Sequence, residues 1–238
     1  MTAQSRIDQG LRQRFADITT RIGVAAGRAN RSPTDIRLIA ITKTQPASLI
    51  KEALAIGASD FGENRVQEAA EKIDRITGSG LCWHLIGHLQ SNKARHALRI
   101  FDYIHTVDSV ELAARLDRIA GEIGRTPSVL AQVKLGDEPA KSGAAPDTLP
   151  AVIEALDSAA NLKLRGLMVI PPLSESTDSA RGYFRTLRQI LEGVNRGRPR
   201  ERRLAHLSMG MSGDYETAVE EGATMVRVGT AIFGSRLQ

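Results

Sequence analysis

Short apolar runs recur along this chain, each followed by a stretch with helical spacing, and that alternation restricts the fold more than any other feature. The runs are Arg37–Thr42, Ser59–Gly62, Cys82–Ile86, Tyr103–Thr106, Ser128–Lys134, Lys163–Ile170, Leu204–Ser208 and Thr224–Val228. Short apolar runs bounded by polar segments read as buried strands. In the clearest intervening stretch, Ser109–Ile123, the residues Leu112, Leu116, Ile119 and Ile123 keep helical spacing. Asp108 and Glu111 are placed ahead of it as a capping box. Pro46 is placed as the first-turn proline of a helix running to Ile56, with Gly57 to end it. A further helix is predicted over Ile7–Arg28, before the first strand.

Strands alternating with helices argue for a parallel sheet. Eight such units in 238 residues predict a (β/α)₈ TIM-type barrel with an extra N-terminal helix, one domain spanning 1–238. A doubly wound open sheet is the competing arrangement. Against it, no Gly-rich dinucleotide fingerprint follows the first strand. The loops are asymmetric too. The segments after strands are long and polar, as in Gly136–Asp147 and Pro171–Ser179, whereas helix-to-strand links such as Ile56–Ser59 and Glu221–Ala223 are short. Barrel enzymes build their sites from the strand-to-helix loops.

Composition narrows the setting. The chain is 42% hydrophobic and 25% charged, as an ordinary globule is. No segment has the length and apolarity of a membrane span, and the polar start "MTAQSRIDQGLRQRF" lacks the apolar core of a signal peptide. A single cysteine, Cys82, leaves no internal disulfide framework and fits a reducing cytoplasm. Between Leu81 and Trp83 it reads as a packed thiol. The net charge is +5, and much of the excess lies in "RGRPRERR", Arg196–Arg203. That run has no aromatic residue on which a base could stack, so a solvated loop is expected rather than a nucleic-acid site.

Polar residues gather at the strand ends. The first strand ends in Thr42 and Lys43. A lysine there either snorkels to water or sits desolvated at a pocket mouth, where its amine can form an imine with an aldehyde. After the second strand come Glu63, Asn64 and Gln67, and after the third His84, His88, Gln90 and Asn92. The last two strand ends carry Ser208, Gly210 and Ser212, then Arg227, Gly229 and Thr230. A barrel's usual phosphate site lies after strands seven and eight, and these glycines and hydroxyls are the residue types it needs. Ser212 is placed as the N-cap of a helix opening at Gly213. The histidines do not read as a metal pair: on one extended strand His84 and His88 would be about 13 Å apart, against zinc–ligand bonds of about 2 Å. His84 is as readily a buried, hydrogen-bonded residue as a functional one. Glu63 could serve as a general base, although a carboxylate near a helix start more often serves the helix dipole. A lysine at strand one with a phosphate site at strands seven and eight suggests a phosphorylated aldehyde, and pyridoxal 5′-phosphate has both groups.

The chain resembles the pyridoxal phosphate homeostasis proteins, relatives of the alanine racemase barrel. The resemblance runs from about Ile36 to the C-terminus through "AITKTQP", "FGENRVQE", "WHLIGHLQSNK", "KSG", "LRGLMVI" and "LSMGMSGDYETAVEEGATMVRVGTAIFG". It implies an imine on Lys43, phosphate loops at Ser208 and Gly229–Thr230, and Arg227 facing the pyridine nitrogen. The cofactor-binding set it leads us to expect is Lys43, Asn64, His84, Ser208, Gly210, Arg227, Gly229 and Thr230, with no catalytic residue and no metal. Lys134 stands where the resemblance suggests asparagine. Alanine racemases continue into a β-domain with a catalytic tyrosine, whereas this chain stops at Gln238. A racemase needs a base on each face of the substrate carbon, so the expectation is a monomeric carrier of pyridoxal phosphate with little or no turnover. It would store the cofactor or deliver it to apo-enzymes. A pyridoxal phosphate-dependent racemase is the alternative, and a phosphate-binding isomerase barrel a third.

Overall fold

The computed structural model describes residues 8–76, 80–136, 142–172 and 177–234. Eight parallel strands close into a barrel in chain order. They are β1 (Arg37–Ile41), β2 (Asp60–Glu63), β3 (Cys82–Leu85), β4 (Tyr103–Val107), β5 (Ser128–Val133), β6 (Lys163–Val169), β7 (His206–Ser208) and β8 (Met225–Val228). Each lies within two residues of its predicted run. Closure is made by β1 pairing with β8, Leu38 beside Val226 and Ile39 beside Arg227, and this settles the choice against the open sheet. The eighth strand thus returns to the first, and the two ends of the strand series become neighbours.

The helices are α1 (Gln9–Arg28), α2 (Ala47–Ala55), α3 (Val66–Ile73), α4 (Ala94–Ile100), α5 (Val110–Glu122), α6 (Leu149–Asp157), α7 (Thr177–Asn195), α8 (Tyr215–Glu220) and α9 (Thr230–Phe233). The extra helix α1 packs on α8 and α9. Three caps differ from expectation. Ser109, not Asp108, caps α5: its hydroxyl accepts from Leu112 N, because an N-cap side chain must reach the N–H two or three residues on. Pro46 is the N-cap of α2 rather than its first helical residue. Ser212 does not open α8, whose N-cap is Asp214.

Side chains alternate across a strand, and this splits the core into two layers. One parity, with Ala40, Phe61, Leu85, Ile104, Val129, Leu167 and Val226, packs against the helices. The other places Ile39, Ile41, Leu130, Met168 and Met225 inside the barrel. Gly62 makes room for them, since a Cβ there would come within 2.5 Å of Ile41 Cδ1. The inward parity of Ile39 and Ile41 continues to Lys43, that of Gly62 to Asn64, and that of Met225 to Arg227 and Gly229. Strand pleat therefore brings residues far apart in the chain to one end of the barrel. Among the described residues no helix is long and apolar enough to cross a membrane.

Candidate functional site

A cavity of about 580 Å³ opens at that end. Its lining includes Ile41, Lys43, Asn64, Ile86, His88, Gln132, Ser212, Gly213, Arg227, Gly229 and Thr230. The volume is that of a small-molecule site.

On one wall Lys43 follows β1. The residues on either side of it are tied to α3. Lys72, with a side chain only 10% exposed, donates from Nζ to Thr42 O at 2.6 Å, Glu63 Oε1 at 2.7 Å and Glu68 Oε1 at 2.6 Å. Glu63 Oε1 also accepts from Thr42 Oγ1 at 2.7 Å, and Glu68 Oε1 accepts from Thr44 N. One ammonium and two carboxylates thus clamp both neighbours of Lys43. Burial pushes the Glu63 carboxyl up against the pull of Lys72. Burial also opposes ionisation of Glu68, but Lys72 and the Thr44 N–H outweigh it and hold its carboxyl low. Thr44 sits at φ 65°, a left-handed conformation that costs a β-branched residue about 1–3 kcal/mol and persists where surroundings enforce it.

The adjoining wall, from the loops after β7 and β8, is main chain. Ser212 Oγ accepts from Gly229 N at 3.2 Å and Ala231 N at 3.3 Å, so this serine bridges the loops after β7 and β8. The N–H groups of Gly213 and Thr230 have no hydrogen-bond partner among the described residues. Gly229 passes close to β1: a Cβ there would lie 3.3 Å from Ile41 Cβ and 3.4 Å from Ile41 O. Hydroxyls and N–H groups of this kind suit an anion.

Arg227 lies in the floor, 3% exposed. It donates from Nη1 to Ser208 Oγ at 2.7 Å and from Nη2 to Val169 O at 2.9 Å. Burial lowers its pKa to about 10, with Asp214 opposing, so it is a cation at neutral pH. Gln132, 4% exposed, donates from Nε2 to Ser142 O at 2.8 Å. Its Oε1 faces no donor among the described residues.

Of the predicted set, Lys43, Asn64, Arg227, Gly229 and Thr230 line the cavity. His84 and Ser208 do not: both are fully buried inside the barrel and bonded to other side chains. Gly210 is placed in the turn after β7 at φ 90°, with no room for a Cβ against Ala218, and serves that turn. Sequence reasoning missed Lys72, whose clamp depends on α3 folding back over the end of β1. It also missed His105, which lies at an inward position of β4. A histidine inside the apolar run "YIHTV" was the available signal. Lys141 and parts of the loops Gly136–Asp147 and Pro171–Ser179 lie outside the described residues. Cys82 is half-buried, and burial pushes its thiol up to about 12, which makes it inert. Asp60, Cys82 and His84 place donor atoms within 4.8 Å of one another. The Arg37 guanidinium contacts both Asp60 and Cys82 there, where a metal ion would meet like charge. In the Arg196–Arg203 run Arg198 pairs with Asp157 and donates to Val194 O, while Arg196, Arg200, Arg202 and Arg203 are exposed.

Comparison with known proteins gives the family and the fold. Residues 17–237 match the family described as "Alanine racemase, N-terminal domain". The chain is 43% identical over 225 residues to the pyridoxal phosphate homeostasis protein of Pseudomonas aeruginosa, covering 94% of this chain and 95% of that one. Against the Escherichia coli protein of the same name it is 42% identical over 227 residues, 93% and 95% of the two chains. PipY of Synechococcus elongatus superimposes with a TM-score of 0.84 in its pyridoxal phosphate-bound structure, at 44% identity over 94% of this chain and all of that one. Alanine racemase of Clostridium difficile, at 16% identity and a TM-score of 0.69 over 97% of this chain and 58% of its own, shares the fold. By fold and sequence alike, the chain belongs to the pyridoxal phosphate homeostasis protein family.

Proposed function

We propose that this chain binds pyridoxal 5′-phosphate in the cavity at the barrel mouth, holds it through an imine on Lys43, and serves cofactor storage or delivery with little or no turnover. The observation that carries the reading is a half-buried lysine after β1 beside main-chain N–H groups of the β7 and β8 loops, in one cavity of about 580 Å³. Pyridoxal phosphate supplies an aldehyde that condenses with an amine and a phosphate that accepts several hydrogen bonds. Lys43 Nζ adds to the aldehyde carbon and one water leaves. The N–H groups of Gly213 and Thr230, with Ser212, hold the phosphate. Arg227 can only donate hydrogen bonds, so a ring nitrogen beside it stays unprotonated, which weakens the electron sink that turnover requires. Asn64 and Gln132 complete the polar lining.

Borohydride reduction and peptide mass analysis test the reading. The pyridoxyl group is expected on Lys43, and finding it wholly on Lys134 or Lys141 would overturn the assignment. One observation favours the racemase alternative: His88 lines the cavity, and an imidazole is the side chain that most often serves as a general base. Exchange of the α-proton of L-alanine in deuterated water, followed by NMR, separates the two. Exchange near that of the same concentration of pyridoxal phosphate alone supports a carrier. Exchange faster by several orders of magnitude makes the protein an enzyme.

A further inference from the structure

Beneath the cavity the barrel interior carries a continuous line of polar side chains. Arg227 Nη1 donates to Ser208 Oγ at 2.7 Å. Ser208 Oγ lies 2.9 Å from His105 Nδ1, His105 Nε2 lies 2.9 Å from His84 Nδ1, and His84 Nε2 lies 3.0 Å from Asp60 Oδ1. His84, His105 and Ser208 are fully buried, and Asp60 is 9% exposed. At the far end Arg37 pairs with Asp60 at 3.1 Å, and Tyr103 stacks on His84 with ring centroids 4.8 Å apart.

We infer that Asp60, His84, His105 and Ser208 form a hydrogen-bond chain with a single proton order, which fixes the Arg227 guanidinium in the cavity floor and makes these four the positioning residues for the ring held above it. The order follows from the two ends. A guanidinium only donates. Ser208 Oγ accepts from it, and among the described residues the buried hydroxyl has no acceptor other than His105 Nδ1 for its own proton, so that proton is directed there. His105 then carries its proton on Nε2 and donates to His84 Nδ1. His84 likewise carries its proton on Nε2 and donates to Asp60, which as a carboxylate only accepts. Both imidazoles are therefore neutral, in the same tautomer. Burial, with the cations around them, holds both below the ordinary histidine range and agrees with this assignment. Burial also pushes Asp60 up, but the His84, Ser59 and Arg37 contacts outweigh it and keep it ionised.

Among the described residues Arg227 has no carboxylate within ion-pair distance. The aligned chain brings Asp60's charge to it through polarised hydrogen bonds, each strengthening the next. A polar filler in the barrel would need no such alignment. The role given to Arg227 rests on the cavity above it being the cofactor site, but the proton order does not.

The test has two parts. Nitrogen-15 NMR of the histidine side chains at pH 7, without ligand, is expected to show His84 and His105 both neutral with the proton on Nε2. An Nδ1–H tautomer or an imidazolium at either position would overturn the chain, whatever the protein binds. In the second part, Ser208→Ala and Ser208→Thr are loaded with pyridoxal phosphate. Ser208→Ala, which removes the link, is expected to shift the imine absorption band and release cofactor at least about tenfold faster, while Ser208→Thr, which keeps the hydroxyl, stays near the parent. Equal behaviour of the two variants would overturn the positioning role. A correct tautomer pattern in a protein that takes up no pyridoxal phosphate would sink the cofactor reading and leave the chain standing.

Discussion

The two walls of the cavity are built by opposite means. On the lysine wall, side chains do the holding: Lys72 sits on Glu63 and Glu68, and these fix Thr42 and Thr44 around Lys43. On the adjoining wall the donors belong to the backbone, and a single hydroxyl, Ser212, ties the two loops. A wall of buried charges fails when one charge is removed, because the partners are left unpaired in a medium that cannot solvate them. A wall of N–H groups survives loss of side chains but cannot accept a Cβ in the wrong place. The contrast suits the tasks proposed for the two walls. A reacting amine must stand at one point, whereas an anion can be met by several weak donors at once.

Four substitutions and one change of condition probe that difference. Lys43→Ala is expected to abolish the imine absorbance and borohydride labelling altogether, leaving weak, phosphate-dependent binding measurable by calorimetry. Persistence of the label at another site would show that the lysine wall is not where the chemistry lies. Lys72→Met removes the ammonium and strands a fully buried Glu63. Breaking a buried pair in this way costs about 3–5 kcal/mol, to be read from urea denaturation. A loss below about 1 kcal/mol would mean that the two walls are held alike.

On the other wall, Gly229→Val is expected to leave the fold largely intact and to lower affinity for pyridoxal phosphate far more than for pyridoxal, because the added carbons press on Ile41 and turn the N–H groups aside. Equal losses for the two ligands would break the assignment of this wall to the phosphate. Ser212→Ala removes one neutral hydroxyl that accepts two bonds, at about 0.5–1.5 kcal/mol each way. It is expected to weaken phosphate-dependent binding modestly, by titration. The smallest effect comes from below both walls. Burial holds His206 at about 4, whereas an unfolded histidine protonates near 6.5. The unfolded chain therefore binds more protons between those values, and stability is expected to fall as pH drops from about 6.5 to about 4. Discounted for the partial exposure of His206, its own share is about 1 kcal/mol, or about 2–4 °C in Tm, and His84 and His105 act in the same direction. A Tm that rises on acidification through this range would contradict it.

The same contrast explains what could be read from the sequence. Strand pleat is local, so the runs from Arg37 to Val228 and the inward step from Ile41 to Lys43 were legible. Glycines and serines at the ends of strands seven and eight were legible as a group, since small polar residues there have few other uses. Their individual jobs were not. Ser212 looks like a cap for the helix just after it, and only tertiary structure shows it reaching the loop after β8. Ser208 has the chemistry of a phosphate ligand, yet its hydroxyl is taken by Arg227 and His105. Lys72 reads as an ordinary residue of an amphipathic helix, because nothing local says that α3 lays it over Thr42.

Closure of the barrel between β1 and β8 has a consequence in time. Lys43 leaves the ribosome early, but the wall beside it is encoded near the end of the chain. At about 5–20 residues per second, synthesis separates the two by on the order of ten seconds or more. Throughout that interval the amine has no partner wall, and the edges of β1 and the growing sheet have no seal. Only when Leu38 meets Val226 do the amine and the anion cradle come to share one cavity. Capture of an aldehyde that also needs its phosphate held would then report that translation and folding have both finished. A nascent or truncated chain lacking the last strand would carry the lysine and still fail to retain the ligand.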